Sequence, residues 1–218
     1  MLFRSEKHRS GTLKIKSNQL NFITDIPEHE FAFEMIAENE FSYSERIGTK
    51  NHLYIVGGGH CALALSKLMS GMGFYIHLIE EREDLNTLLK NDFVHEKIIV
   101  SDYAEIEDLI ARENFHSAEG GHAARQDSYI VIMTFGYRTD NIAVRALAGK
   151  NFRYLGVLGS GSKMQELFEE WEADGISESW LKNIHAPIGI PIHSETPEEI
   201  AVSIAAEIIK IKNSKVIF

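Results

Sequence analysis

The chain has 218 residues, enough for one α/β domain with a small appendage and a substantial buried core. Hydrophobic residues make up 44% and charged residues 25%, ordinary for a soluble globular protein, and a formal net charge of -10 argues against nucleic acid or anionic membrane as partners. No apolar run is long enough to span a bilayer, and Cys61, the single cysteine, excludes an internal disulfide or a thiol-only metal site.

Residues 1–11 are basic and polar without an apolar core, so no secretory signal is expected and a reducing cytoplasm is the simplest home. "TLKIK" and "LNFITDI", separated by Ser17 and Asn18, read as a hairpin, and a short helical piece is expected at residues 31–37. Residues 1–50 thus form a small N-terminal β-hairpin extension to a body at 51–218. Leu13, Ile15, Leu20, Phe22, Ile23, Phe31 and Phe33 are too few to close a core of their own. They need the body or a second copy of the chain, and the second option makes a homodimer.

From residue 51 onward strand and helix signals alternate. Residues 53–56 read as a buried strand, 57–59 as a glycine turn, and Ala62, Leu65, Leu68, Met69 and Met72 as one helix face, ended by Gly71 and Gly73. Strands are expected at 74–79, 97–100, 129–133 and 153–158, and helices at 102–113, 141–147 and 162–173. Asp102 with Glu105, and Ser162 with Gln165, read as capping boxes, and residues 114–127 as a mobile loop. "TPEEIAVSIAAEIIKI" is the clearest helix, with Thr196 as N-cap, Pro197 at N1 and Glu199 at N3. The fold class is α/β, a doubly wound, mainly parallel Rossmann-like sheet.

Three loops at the strands' C-terminal ends carry the chemistry. Gly57, Gly59 and Ala62 match strand-G-x-G-x-x-A-helix, with Gly58 and His60 in the same turn, and Glu80 stands about 20 residues on. Such a turn admits a diphosphate to a helix N-terminus, and the acid accepts from ribose hydroxyls; alternatively the glycines only allow close packing. Thr134, Gly136, Tyr137, Arg138 and Asp140 lie at the switch point, where Asp140 is otherwise an ordinary N-cap and Arg138 a surface charge. Gly159 and Ser160 open a second glycine-rich turn that can cradle an anion. Cys61 is either a thiolate favoured by the helix N-terminus or a small buried hydrophobe. No histidine pair has metal-ligand spacing.

The blocks "YIVGGGHCALAL", "LIEERED", "YIVIMTFGYRTDNIAVRAL", "YLGVLGSGSKM" and "HAPIGIPIHSETPEEIAVSIAAEI" resemble the C-terminal Rossmann-like domain of the xanthine dehydrogenase accessory family, XdhC/CoxI. The resemblance covers about three quarters of the chain, from Asn51 to Lys212. It implies an accessory protein, a chaperone more than a catalyst. Such a protein binds molybdenum cofactor (molybdopterin) and hands it, often after sulfuration by a sulfur donor, to a xanthine dehydrogenase-type molybdoenzyme. Carried over by position, it implies Gly57, Gly59, His60, Glu80, Arg82, Thr134, Gly136, Asp140, Gly159 and Ser160 as cofactor-binding residues. Phe135 stands where the family often has histidine, and Gly161 where a basic residue is common. The family's N-terminal domain has no counterpart in residues 1–50. An NAD(P)-dependent oxidoreductase, with Tyr137 as the candidate base, and a nucleotide-sensing regulatory domain are the alternatives.

Overall fold

The structure is a computed structural model that describes residues 11–17, 19–23, 31–47, 51–117 and 128–214. The chain divides into two compact units, Met1–Lys50 and Asn51–Phe218. In the first, β1 (Gly11–Lys16), β2 (Gln19–Ile23), β3 (Phe31–Ala37) and β4 (Glu40–Ile47) form an antiparallel sheet in the order β2-β1-β4-β3. The expected hairpin is β1 with β2, registered by Leu13 opposite Phe22 and Ile15 opposite Leu20. The helix expected at 31–37 is instead strand β3. "FAFEMIA" places Phe31, Phe33 and Met35 at a spacing of two, which aligns them on one face of a strand and scatters them around a helix. Asn18 and the segment 1–10, on which the expectation of no secretory signal rests, lie outside the described residues.

The second unit runs β5 (Asn51–Val56), α1 (His60–Met69), β6 (Phe74–Glu80), α2 (Asn86–Leu89), β7 (Glu96–Ile99), α3 (Ile106–Ser117) and β8 (Ser128–Ile132). It continues with α4 (Tyr137–Leu147), β9 (Tyr154–Val157), α5 (Gly161–Ala173), α6 (Glu178–Leu181) and α7 (Pro197–Asn213). Its five strands are all parallel in the order β7-β6-β5-β8-β9. The chain therefore winds outward from β5 in one direction and returns to wind outward in the other, the Rossmann-like arrangement. Alternate residues of the central strands face opposite layers. Tyr54, Val56, Ile130 and Ile132 pack with Ile110 of α3, Val144 of α4 and Trp171 of α5. Leu53, Ile55, Leu78 and Val131 pack with Leu65 and Met69 of α1 and Ile204 and Ile208 of α7. Both faces are covered, so the strands read as continuous apolar runs.

The capping boxes of Asp102 with Glu105 and of Thr196 with Glu199 both form, the first opening a 3-10 turn before α3. Three expected boundaries move. α3 runs to Ser117, so residues 114–117 are helical and not loop, while 118–127 lie outside the described residues. α4 starts at Tyr137 with Gly136 as its N-cap, which puts Asp140 inside the first turn. α5 starts at Gly161 with Ser160 as N-cap, accepting from the Lys163 N–H, so the Ser162 and Gln165 box does not form. Among the described residues, no helix is long and apolar enough to cross a membrane.

Candidate functional site

The C-terminal ends of β5, β6 and β8 converge, and the three glycines after β5 have three different surroundings there. Gly57 has φ +104°, and a Cβ on it would lie 2.5 Å from the Met133 carbonyl oxygen, so glycine lets the turn lie against the end of β8. A Cβ on Gly58 would lie 3.1 Å from Glu80 Oε2. On Gly59, the N-cap of α1, a Cβ would meet nothing within 4 Å, and no side chain caps that helix. The N-terminus of α1 thus faces open space with free N–H groups, the electrostatic setting for an anion.

Glu80, expected at a ribose, is fully buried. Its Oε2 accepts from the Gly58 N–H at 2.6 Å and from the Arg82 side chain at 3.0 Å. Its Oε1 accepts from the Glu81 and Arg82 N–H groups, from Arg82 Nε at 2.9 Å and from the Tyr103 hydroxyl at 3.2 Å. Burial raises the pKa of this carboxyl, but the Arg82 side chain and the Gly58 and Arg82 N–H groups outweigh it and hold the pKa below the usual carboxylate range. The acid locks the glycine turn to β6. Arg82 reaches outward from it, with its guanidinium 4.7 Å from the centre of the Phe135 ring.

These groups border an open cleft of about 550 Å³. Gly59, His60, Arg82, Lys90, Thr134 and Phe135 line it, so glycine turn, second-strand end and switch point come together as expected. Asn86, Thr87 and Lys90 also line it and carry no sequence signal beyond lying just after an acid-ended strand. Thr87 donates to the Gly58 carbonyl, fixing α2 to the turn.

On the far side of Thr134, Asp140 is fully buried. It accepts from the Thr134 N–H at 3.0 Å, from the Thr134 hydroxyl at 2.6 Å and from Lys163 Nζ. Lys163, which the motifs do not single out, also reaches the Leu158 carbonyl at 3.4 Å, so it ties α4 to the end of β9. Its place one turn after Ser160 is the available signal. Gly136 has room for a side chain. Gly159 does not, because a Cβ would lie 2.5 Å from Met164 Cε. Tyr137 turns to Glu170 on α5 at 2.6 Å, a bond that pushes its pKa up to about 12. Arg138 is exposed, and Ser160 serves its own helix. Cys61 is half-buried, and burial, then the charge of Glu198, pushes its thiol pKa up. Among the described residues no group of three His, Cys, Asp or Glu side chains is placed to hold a metal ion.

Residues 53–208 match the model of the XdhC Rossmann domain. The chain is 30% identical over 168 residues to the uncharacterized protein YqeB of Escherichia coli K12, covering 77% of this chain and 28% of that protein. It is 25% identical over 168 residues to a probable xanthine dehydrogenase subunit from Bacillus subtilis, covering 77% of this chain and 45% of that one. The chain therefore spans less than half the length of the curated relatives it matches. A solved xanthine dehydrogenase from Bacillus halodurans shares the fold, with a TM-score of 0.65 and 22% identity over 97% of this chain and 62% of that chain. With its Rossmann body matched nearly end to end, the chain belongs to the XdhC family.

Proposed function

We propose that this chain is a cytoplasmic accessory protein for a xanthine dehydrogenase-type molybdoenzyme. In this reading it binds molybdenum cofactor through the anionic phosphate of the pterin and passes it on, with any sulfur supplied by a separate donor. The observation that carries the reading is the open, uncapped N-terminus of α1 at Gly59, flanked by Arg82 and Lys90 in one cleft. Helix N–H groups and two cations suit a phosphate, and the aromatic face of Phe135 suits a planar ring beside it.

When bound, the cofactor carries the redox-active metal that the client enzyme uses. The chain's own residues then bind and orient: α1 and Arg82 hold the phosphate end, and the Asp140–Lys163 pair stiffens the loop that presents Thr134. The NAD(P) reading gains nothing from the geometry, since Glu80 has both oxygens engaged by its own chain and Tyr137 is engaged by Glu170.

The test is anaerobic titration of the purified protein with molybdenum cofactor released from a donor enzyme, beside NAD and NADP. The expected result is cofactor binding that Gly59→Val weakens about 100-fold or more, a loss of ~3 kcal/mol, because a branched side chain would fill the phosphate position. Equal affinity of the two proteins for the cofactor rejects the site, and tighter binding of a nicotinamide dinucleotide rejects the ligand.

A further inference from the structure

The described residues of the first unit form one antiparallel sheet, and its register sorts the side chains by chemistry. Phe33 lies opposite Tyr43, Tyr43 opposite Ile15, and Ile15 opposite Leu20, so one face runs apolar across all four strands. Phe31 and Met35 stand on that same face of β3. The opposite face carries Lys14, Lys16, Asn21, Glu34, Ser42 and Ser44, with Ile23 and a buried Thr12 at one end. An antiparallel sheet with this pattern has one side built for water and one built to be covered. Yet Leu20 is 62% exposed, Phe31 67%, Phe33 60% and Met35 63%.

We propose that this apolar face packs on the same face of a second copy, making a two-fold dimer whose centre is a two-layer β-sandwich. Size is the first argument. Aromatic side chains bury about 150–250 Å² each and Leu and Met less, so these four, already partly covered, offer at most roughly 500 Å². That is at the upper end of the largest apolar patch on an ordinary monomer. Two copies together bury up to about 1,000 Å², the area a specific interface must clear.

Charge is the second argument. A chain of net charge -10 repels its own copy over most of its surface, so self-association needs a face nearly free of charge. Among the described residues this face has one charged side chain, Glu45 in β4, and the Tyr43 hydroxyl donates to it at 3.1 Å. A foreign partner selected by complementary charge would find almost nothing to read here. A second copy needs only a matching apolar outline, which the two-fold axis supplies, and an isologous contact closes without forming fibres. Sheets packed in this way lie about 10 Å apart, close enough for the Phe31, Phe33 and Met35 side chains of the two copies to interdigitate.

The experiment is sedimentation equilibrium and light scattering on the full chain from about 1 to 100 μM, with an expected dimer. Phe33→Asp combined with Met35→Asp is expected to raise the dimer dissociation constant at least about 100-fold, because each copy would bury unpaired charge of one sign. Glu34→Lys, on the other face of the same strand, is expected to leave it within about threefold. A photo-crosslinking amino acid at position 33 is expected to join two chains, with the linked peptides drawn from β1 to β4. That measurement decides the matter even if the double variant fails to fold. A wild-type monomer at about 100 μM, a dimer indifferent to the double variant, or crosslinks confined to one chain would overturn the proposal. The last two outcomes would mean another contact makes the dimer, or the chain's own second unit covers the face.

Discussion

Gly57 and Gly59 sit two positions apart in one turn, and their surroundings assign them opposite tolerances. Gly57→Ala forces a Cβ against the Met133 carbonyl at a backbone angle that side chains rarely adopt, so it is expected to destabilise the fold by about 3 kcal/mol. Gly59→Ala meets open space and is expected to cost about 1 kcal/mol or less, the difference between glycine and alanine at an N-cap. Urea unfolding of the two variants reads the contrast directly. Glu80 carries the other residue-scale prediction. Glu80→Gln leaves the Arg82 guanidinium without its carboxylate and weakens the bond to Gly58, and a loss of about 2–3 kcal/mol is expected. The sign of its pH dependence follows from the lowered pKa. The unfolded state takes up the Glu80 proton first, so stability from this group is complete above the ordinary carboxylate pKa and is lost as pH falls through the folded value. Wild type is expected to lose stability below about pH 4 more steeply than Glu80→Gln, measured by urea midpoints from pH 3 to 7.

At the scale of elements, caps and pairings behave differently. Thr196, Pro197 and Glu199 specify the start of α7 within four residues, and that start is legible without any knowledge of the fold. The local patterns put helix starts at 141 and 162, whereas α4 and α5 begin at 137 and 161, because "GYRTD" and "GSGSK" each offer several capping side chains. Strand ends and neighbours choose among them. At α5 the choice falls on Ser160, and at α4 the polar residues Thr139 and Asp140 turn inward. The Asp140–Lys163 pair is the consequence, joining helices whose partners are 23 residues apart. Asp140→Ala is expected to cost about 3 kcal/mol, since it strands the Lys163 ammonium and the Thr134 N–H, and Lys163→Met a similar amount. The double variant is expected to be more stable than the sum of the two losses predicts, by about 1–3 kcal/mol, in a cycle measured by thermal or urea unfolding. Strict additivity would mean that the pair does not interact.

At the scale of the whole molecule, the second unit has its own sheet, covered on both faces, and the match to the XdhC Rossmann domain lies entirely within it. A chain starting at Asn51 is therefore expected to fold, with the parallel-sheet far-ultraviolet signature retained and a cooperative thermal transition. A broad, non-cooperative melt would show that residues 1–50 are needed to complete the core. The family is legible as a resemblance of whole motif blocks, and the short helices α2 and α6 carry no signal of their own. The order of the five strands and the longer helices, the glycine turn and the location of the switch point are legible in the amino-acid string. They rest on signals within a few residues: apolar periodicity, caps, and glycines where a chain must turn. Which polar groups face the cleft is settled only by the folded arrangement. Glu80 and Asp140 each stand at a strand end or helix start suited to a ligand, yet both are buried on donors supplied by the chain itself, Gly58 from 22 residues away and Lys163 from 23. A carboxylate goes to whichever donors the sheet brings within reach, and that depends on strands far apart in sequence becoming neighbours, which no local pattern encodes.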